Sequence, residues 1–134
     1  MQAKRRPAVV LTSNRTRELH DALKRRCLFH WIGHPSLERE IDIVLLRVPE
    51  VPQRLAAQAA AFVQGLRRLD LAKPPGVAET IDWAQALAAL GSHELDPDLV
   101  ESTLGSVLKH HEDLQAVRDA ALADLLEEAR VAAG

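Results

Sequence analysis

Asn14, Arg25 and Arg26 are the side chains near the start of this sequence best suited to chemistry on a phosphate. Asn14 follows a short apolar run. A neutral amide there presents a donor and an acceptor and can hold a water beside a phosphate. Taken alone, it is also what a turn at the end of a strand uses. Arg25 and Arg26 close a short amphipathic segment. A guanidinium at a subunit edge can reach the γ-phosphate bound by a neighbour and offset charge in the transition state. Taken alone, a dibasic helix end is solvated and complements the negative end of the helix dipole.

The elements that must position these groups are legible around them. Residues 7–13 (PAVVLTS) form a β-branched run of the kind buried on both faces inside a parallel sheet. Thr16 is placed to cap a short helix with Leu19, Ala22 and Leu23 on one face. Residues 27–32 (CLFHWI) are a second apolar run of strand type, in which Cys27 reads as a buried small hydrophobe. Strand, helix, strand is a βαβ fragment, and two strands with one helix do not make a stable sheet domain.

After Gly33 the pattern becomes helical throughout. Pro35 precedes Ser36, a natural N-cap, and Leu37, Ile41, Val44, Leu45 and Val48 recur at helical spacing. Glu38, Glu40 and Asp42 on this helix read as solvated. Beyond Pro49 and Pro52, a second helix buries Leu55, Ala59, Phe62, Val63, Leu66 and Leu69. Lys73-Pro74-Pro75-Gly76 is a rigid loop. A helix from Val77 to Leu90 follows, with Gly91 as its C-cap and Trp83 in the core. Asp96-Pro97 starts another helix, carrying Val100, Leu104, Val107 and Leu108. A single last helix is expected over 112–132. Leu45, Phe62, Leu66, Ile81, Leu87 and Leu104 are expected to be buried in a bundle.

Bulk composition agrees with a globular protein. Of the 134 residues, 47 % are apolar and 27 % charged, and the only aromatics are Phe29, Trp31, Phe62 and Trp83, so the core must be aliphatic. Cys27 is the sole cysteine, which excludes an intrachain disulfide and points to a reducing, cytoplasmic setting. No apolar run approaches the roughly 20 residues of a membrane-spanning helix. Residues 1–26 hold eight Lys/Arg against two acids. No stacking aromatics or groove-reading motif accompany that charge, which argues against nucleic acid as a partner. The histidines are scattered, and the adjacent pair His110-His111 would point about 100° apart on a helix, so no metal site is expected.

Together these pieces resemble the second half of an AAA+ module of the MoxR family, in the subgroup associated with assembly of carbon monoxide dehydrogenase. The residues that carry the resemblance are PAVVLTSN, ALKRRCLFHWIGHPSLEREIDIV, LAKPPGVAETIDWAQALAALG and GSVLKHHEDLQAV, spread over roughly 7–117 in family order. The resemblance implies a mainly α fold, a helical AAA+ lid over 34–134 with a C-terminal helical extension. It also implies a short βαβ remnant of the P-loop α/β domain over 1–33. Asn14 falls at the sensor 1 position and Arg26 at the arginine finger, with Arg25 as reserve; Cys27 replaces the family's usual aromatic. Gly76 and Val77 fall where the sensor 2 helix begins, a place that often holds an arginine, and the helix starting there carries no Lys or Arg. Nothing in the sequence matches G-x-x-x-x-G-K-[ST], and no strand ending in paired acids precedes Asn14. The resemblance therefore implies ATP and Mg²⁺ in a full-length parent, and no tight nucleotide binding or ATPase activity by this chain alone. Implied partners are neighbouring AAA+ subunits in a hexameric ring and a client metalloenzyme. The reading that competes with it is a non-catalytic helical protein-interaction module.

Overall fold

The computed structural model describes residues 7–13 and 20–134, and the chain divides into two compact units, Met1–Gly33 and His34–Gly134.

In the first unit the described secondary structure is one short helix, α1 (Asp21–Lys24), ended by Arg25. Among the described residues there is no strand. Residues 7–13 and 27–32 both lack regular structure, contrary to the βαβ expectation. The physical reason is that β-propensity expresses packing against neighbouring strands and not a backbone preference, and neither run has a ladder partner among the described residues. Their apolar side chains are exposed accordingly: Leu28 at 104 %, Val10 at 87 % and Ile32 at 82 %. Cys27, expected inside a strand, is exposed as well.

The second unit is a helical bundle of α2 (Leu37–Arg47), α3 (Gln53–Arg67), α4 (Val77–Ala89), α5 (Pro97–Thr103), a 3₁₀ turn (Leu104–Ser106), α6 (His111–Ala120) and α7 (Leu122–Ala132). Helix α3 is central, packing against α2, α4 and α7. Its residues Leu55, Ala56, Ala59, Phe62, Val63 and Leu66 are all fully buried. The Phe62 ring meets the Trp83 ring of α4 at 5.3 Å between centroids, tilted by 52°, the offset geometry that ring quadrupoles favour. The Trp83 indole N–H is satisfied by the Thr103 hydroxyl at 2.9 Å. Phe62, Leu66, Leu87 and Leu104 are buried as expected, and Leu45 and Ile81 are partly buried against the same core.

The caps follow the sequence closely. The Ser36 hydroxyl accepts from the Arg39 N–H at 3.3 Å, and the Asp96 carboxylate from the Leu99 N–H at 2.9 Å. Gly91, one residue beyond the C-cap of α4, has φ +71°, a left-handed conformation that glycine adopts without a Cβ penalty. The single long helix expected over 112–132 is instead two, broken at Ala121 (φ −134°, ψ −12°). The break lets α7 run back along α3. A Cβ on Gly65 would lie 2.5 Å from Leu125 Cδ2, so a larger residue there requires the Leu125 side chain of α7 to shift.

Candidate functional site

The loop joining α3 to α4 is the part of the second unit that carries two residues of the sequence-derived site, Gly76 and Val77. Gly76 is the N-cap of α4, with φ −91° and ψ −174°. It has no side chain with which to cap, so the end is closed from the other direction: the Glu79 carboxylate accepts from the Gly76 N–H at 2.9 Å. Both Gly76 and Val77 are half-buried. The first turn of α4 contributes backbone N–H groups and a positive dipole end, and its only charged side chain is Glu79.

A buried polar network sets the position of this turn. Glu40 of α2 is fully buried, and Arg67 of α3 donates to both of its oxygens at 2.7 Å. Arg67 Nε donates to the Pro75 carbonyl at 2.7 Å, and Nη2 to the Thr80 hydroxyl at 3.3 Å. The Thr80 hydroxyl in turn donates to Glu40 Oε1 at 2.7 Å. Gln64, one turn before Arg67 on α3, donates to Glu40 Oε2 and to the Pro35 carbonyl, both at 3.2 Å. Burial pushes the Glu40 carboxyl pKa up. The hydrogen bonds from Arg67 and Thr80, the Arg67 charge and the Gln64 amide outweigh it, and the carboxyl is held below its ordinary range. Glu40 is therefore an ionised, buried anchor, whereas its sequence position had suggested a solvated side chain.

The same loop is held from the far side by α6. Asp113, in the first turn of that helix and buried, accepts from the Ala72 N–H at 2.8 Å and the Lys73 N–H at 3.0 Å. Further along the bundle, Gln58 Oε1 accepts from the Leu95 N–H at 2.7 Å, and Arg130 donates to the Leu95 carbonyl at 3.3 Å. These contacts fix the connection between α4 and α5.

The remaining site residues lie in the first unit. Arg25 and Arg26 follow α1, and both are exposed. Their backbone N–H groups donate to Asp21 and Leu23, at 3.0 and 3.1 Å respectively. Asn14 lies outside the described residues, as does Thr16. His110 and His111 are both exposed, His110 as the N-cap of α6.

Sequence reading missed Glu40, Gln64, Arg67, Thr80 and Asp113. The signal was present in part. Glu40 stands in the Leu37–Ile41–Val44 stripe, and Arg67 extends the Ala59–Val63–Leu66 stripe; a polar residue on an apolar stripe needs a partner if that stripe is buried. Which partner it finds, 27 residues away for Glu40 and Arg67, is not contained in either helix.

The geometry also bears on nucleotide contact. Arg67 is the cation nearest in sequence before Gly76 that α3 turns inward, but its fork is taken up by Glu40, Pro75 and Thr80. The anion at the α4 start is Glu79 itself, on the Gly76 N–H, and Arg67 is not free to replace an arginine at position 77. Comparison with known protein families, with curated proteins and with solved structures finds no match for this chain.

Proposed function

We propose that this chain is the sensor 1, arginine-finger and lid portion of a MoxR-type AAA+ ATPase. Such a parent couples ATP hydrolysis to remodelling or metal-cofactor maturation of a client enzyme. The observation that carries the reading is one of position. The helix that the resemblance assigns to the start of sensor 2 begins at Gly76–Val77, in a loop anchored by Arg67 and Asp113 within a helical bundle that starts just after residue 33.

In this reading Asn14 orients the attacking water, and Arg26 reaches the neighbouring subunit's γ-phosphate, with Arg25 as reserve. A guanidinium suits that task because it stays charged and presents several donors in a fixed plane. The exposure of Arg26 is compatible with acting on a neighbour. ATP with Mg²⁺ supplies the reacting phosphoryl group. The cradle for it belongs to parts of the parent outside this sequence, and in the assembled parent residues 7–13 and 27–32 would find their ladder partners in the α/β core.

The test is complementation in the full-length parent. Arg26→Ala should leave ATP affinity nearly intact and lower turnover by about 10³–10⁵. Mixing that variant with subunits disabled in the phosphate loop should restore part of the activity; no recovery on mixing would remove Arg26 from a role in trans. The purified 134-residue chain should hydrolyse no ATP, and turnover above that of an Asn14→Ala, Arg26→Ala control would count against the reading.

The second reading, a helical protein-interaction module without catalysis, is favoured by two features. The sequence has no phosphate-loop motif, and the first unit leaves large apolar side chains exposed. A parent in which Arg26→Ala changes neither turnover nor complementation would point to it.

A further inference from the structure

The polar network described above links two backbone carbonyls that belong to no helix. At one end Gln64 holds Pro35, immediately after the boundary between the two units. At the other end Arg67 holds Pro75, immediately before the first turn of α4. Between them stand only Gln64, Glu40 and Arg67, and each step is a hydrogen bond of 3.2 Å or less. Thr80 ties the same carboxylate to α4 itself.

We propose that Gln64, Glu40 and Arg67 are positioning residues that couple the start of α4 to the unit junction, so that a displacement of Pro75–Val77 is passed to Pro35. This rests on the functional reading above only in what would displace α4, namely a change of nucleotide state at Gly76–Val77. The coupling itself is a property of the chain.

Two features favour a coupling role over simple space-filling. Gln64 and Arg67 are three residues apart on α3, hence on one face, and each reaches one loop carbonyl and a shared carboxylate, Gln64 at one oxygen and Arg67 at both. A buried ion pair is a poor source of net stability compared with apolar residues of the same size, so its presence here is not explained by stability alone.

The experiment uses the 134-residue chain and backbone amide hydrogen exchange by NMR. Gln64→Leu removes the Pro35 end and touches nothing in the α4 loop. Thr80→Val removes a hydroxyl at the α4 end with little change in volume. If the residues couple the two ends, Gln64→Leu should raise exchange at the hydrogen-bonded Gly76 and Thr80 amides by about tenfold or more, and Thr80→Val should do the same at Arg39 and Glu40. Exchange in helix α5, which carries none of these residues, should be unchanged in both, which separates coupling from general loosening. Arg67→Lys keeps the charge but not the fork, and should show the effect at both ends. Responses confined to the neighbourhood of each substitution overturn the proposal, as do uniform responses across the bundle. A second arm uses the full-length parent with ATP. Gln64→Leu should lower kcat and leave KM nearly unchanged. A parent without any ATPase activity refutes the functional reading and leaves the exchange result to decide the coupling.

Discussion

Arg67 grips Glu40 through both terminal nitrogens, at 2.7 Å each, in a pair whose side chains are 7 % and 0 % exposed. This forked contact joins α2 to α3 within the bundle. It sits apart from the exposed pairs Arg54–Glu94 and Arg68–Glu128, whose charges remain in water and add little stability.

Breaking the pair from one side should be costly. Arg67→Ala or Glu40→Ala leaves the other charge buried without a partner, a loss of about 3–5 kcal/mol. The double variant Glu40→Leu, Arg67→Met should recover most of that, since apolar groups of similar size replace the pair. Urea unfolding of the three variants checks this, and a double variant no more stable than the singles would mean that packing at this site cannot relax.

The acid limb of the stability curve should carry Glu40's signature. Its folded pKa lies below the ordinary carboxylate value, so its contribution is fully present above the unfolded pKa, and it is lost as pH falls through the folded one. Stability should therefore hold above about pH 5 and decline steadily below about pH 4. Glu40→Gln, less stable near neutrality, should lose less on further acidification. Unfolding midpoints from pH 7 to pH 2.5 for both proteins supply the comparison, and parallel curves would show that other carboxylates govern the acid limb.

Gly65→Ala should be destabilising even though alanine is the better helix former by about 1 kcal/mol. The added methyl would meet Leu125 Cδ2 at 2.5 Å, and the cost of such overpacking is about 1–3 kcal/mol. Trimming the partner should relieve it: Leu125→Ala is itself destabilising, but Gly65→Ala added to it should be neutral or favourable. A thermal double-mutant cycle reads the coupling, and additivity would show that α7 shifts freely along α3.

The exposed runs of the first unit should make the whole chain associate. Val9, Val10, Leu11, Leu28 and Ile32 are each more than half exposed, apolar surface that association would remove from water. Sedimentation velocity should give a weight that rises with concentration, and Val10→Glu with Leu28→Glu should suppress the rise. A chain that stays monomeric at high concentration would show that these side chains are covered within one molecule.

Periodicity along the sequence was enough to place the starts of α2 to α5, because apolar stripes at 3.6-residue spacing and caps such as Ser36, Asp96 and Gly91 are local properties. It was also enough to put Phe62, Leu66, Trp83, Leu87 and Leu104 in the core. Three things were decided only by the tertiary structure. The break at Ala121 serves the return of α7 along α3, and alanine by itself gives no reason to stop a helix. The apolar runs at 7–13 and 27–32 have strand composition and form no strand among the described residues, because a strand exists only with a partner for its backbone. The site loop is held by Glu40, Arg67, Thr80 and Asp113, drawn from α2, α3, α4 and α6. Burying a charge is tolerable only where opposite charge and donors converge on it, and that convergence is created by packing the helices together.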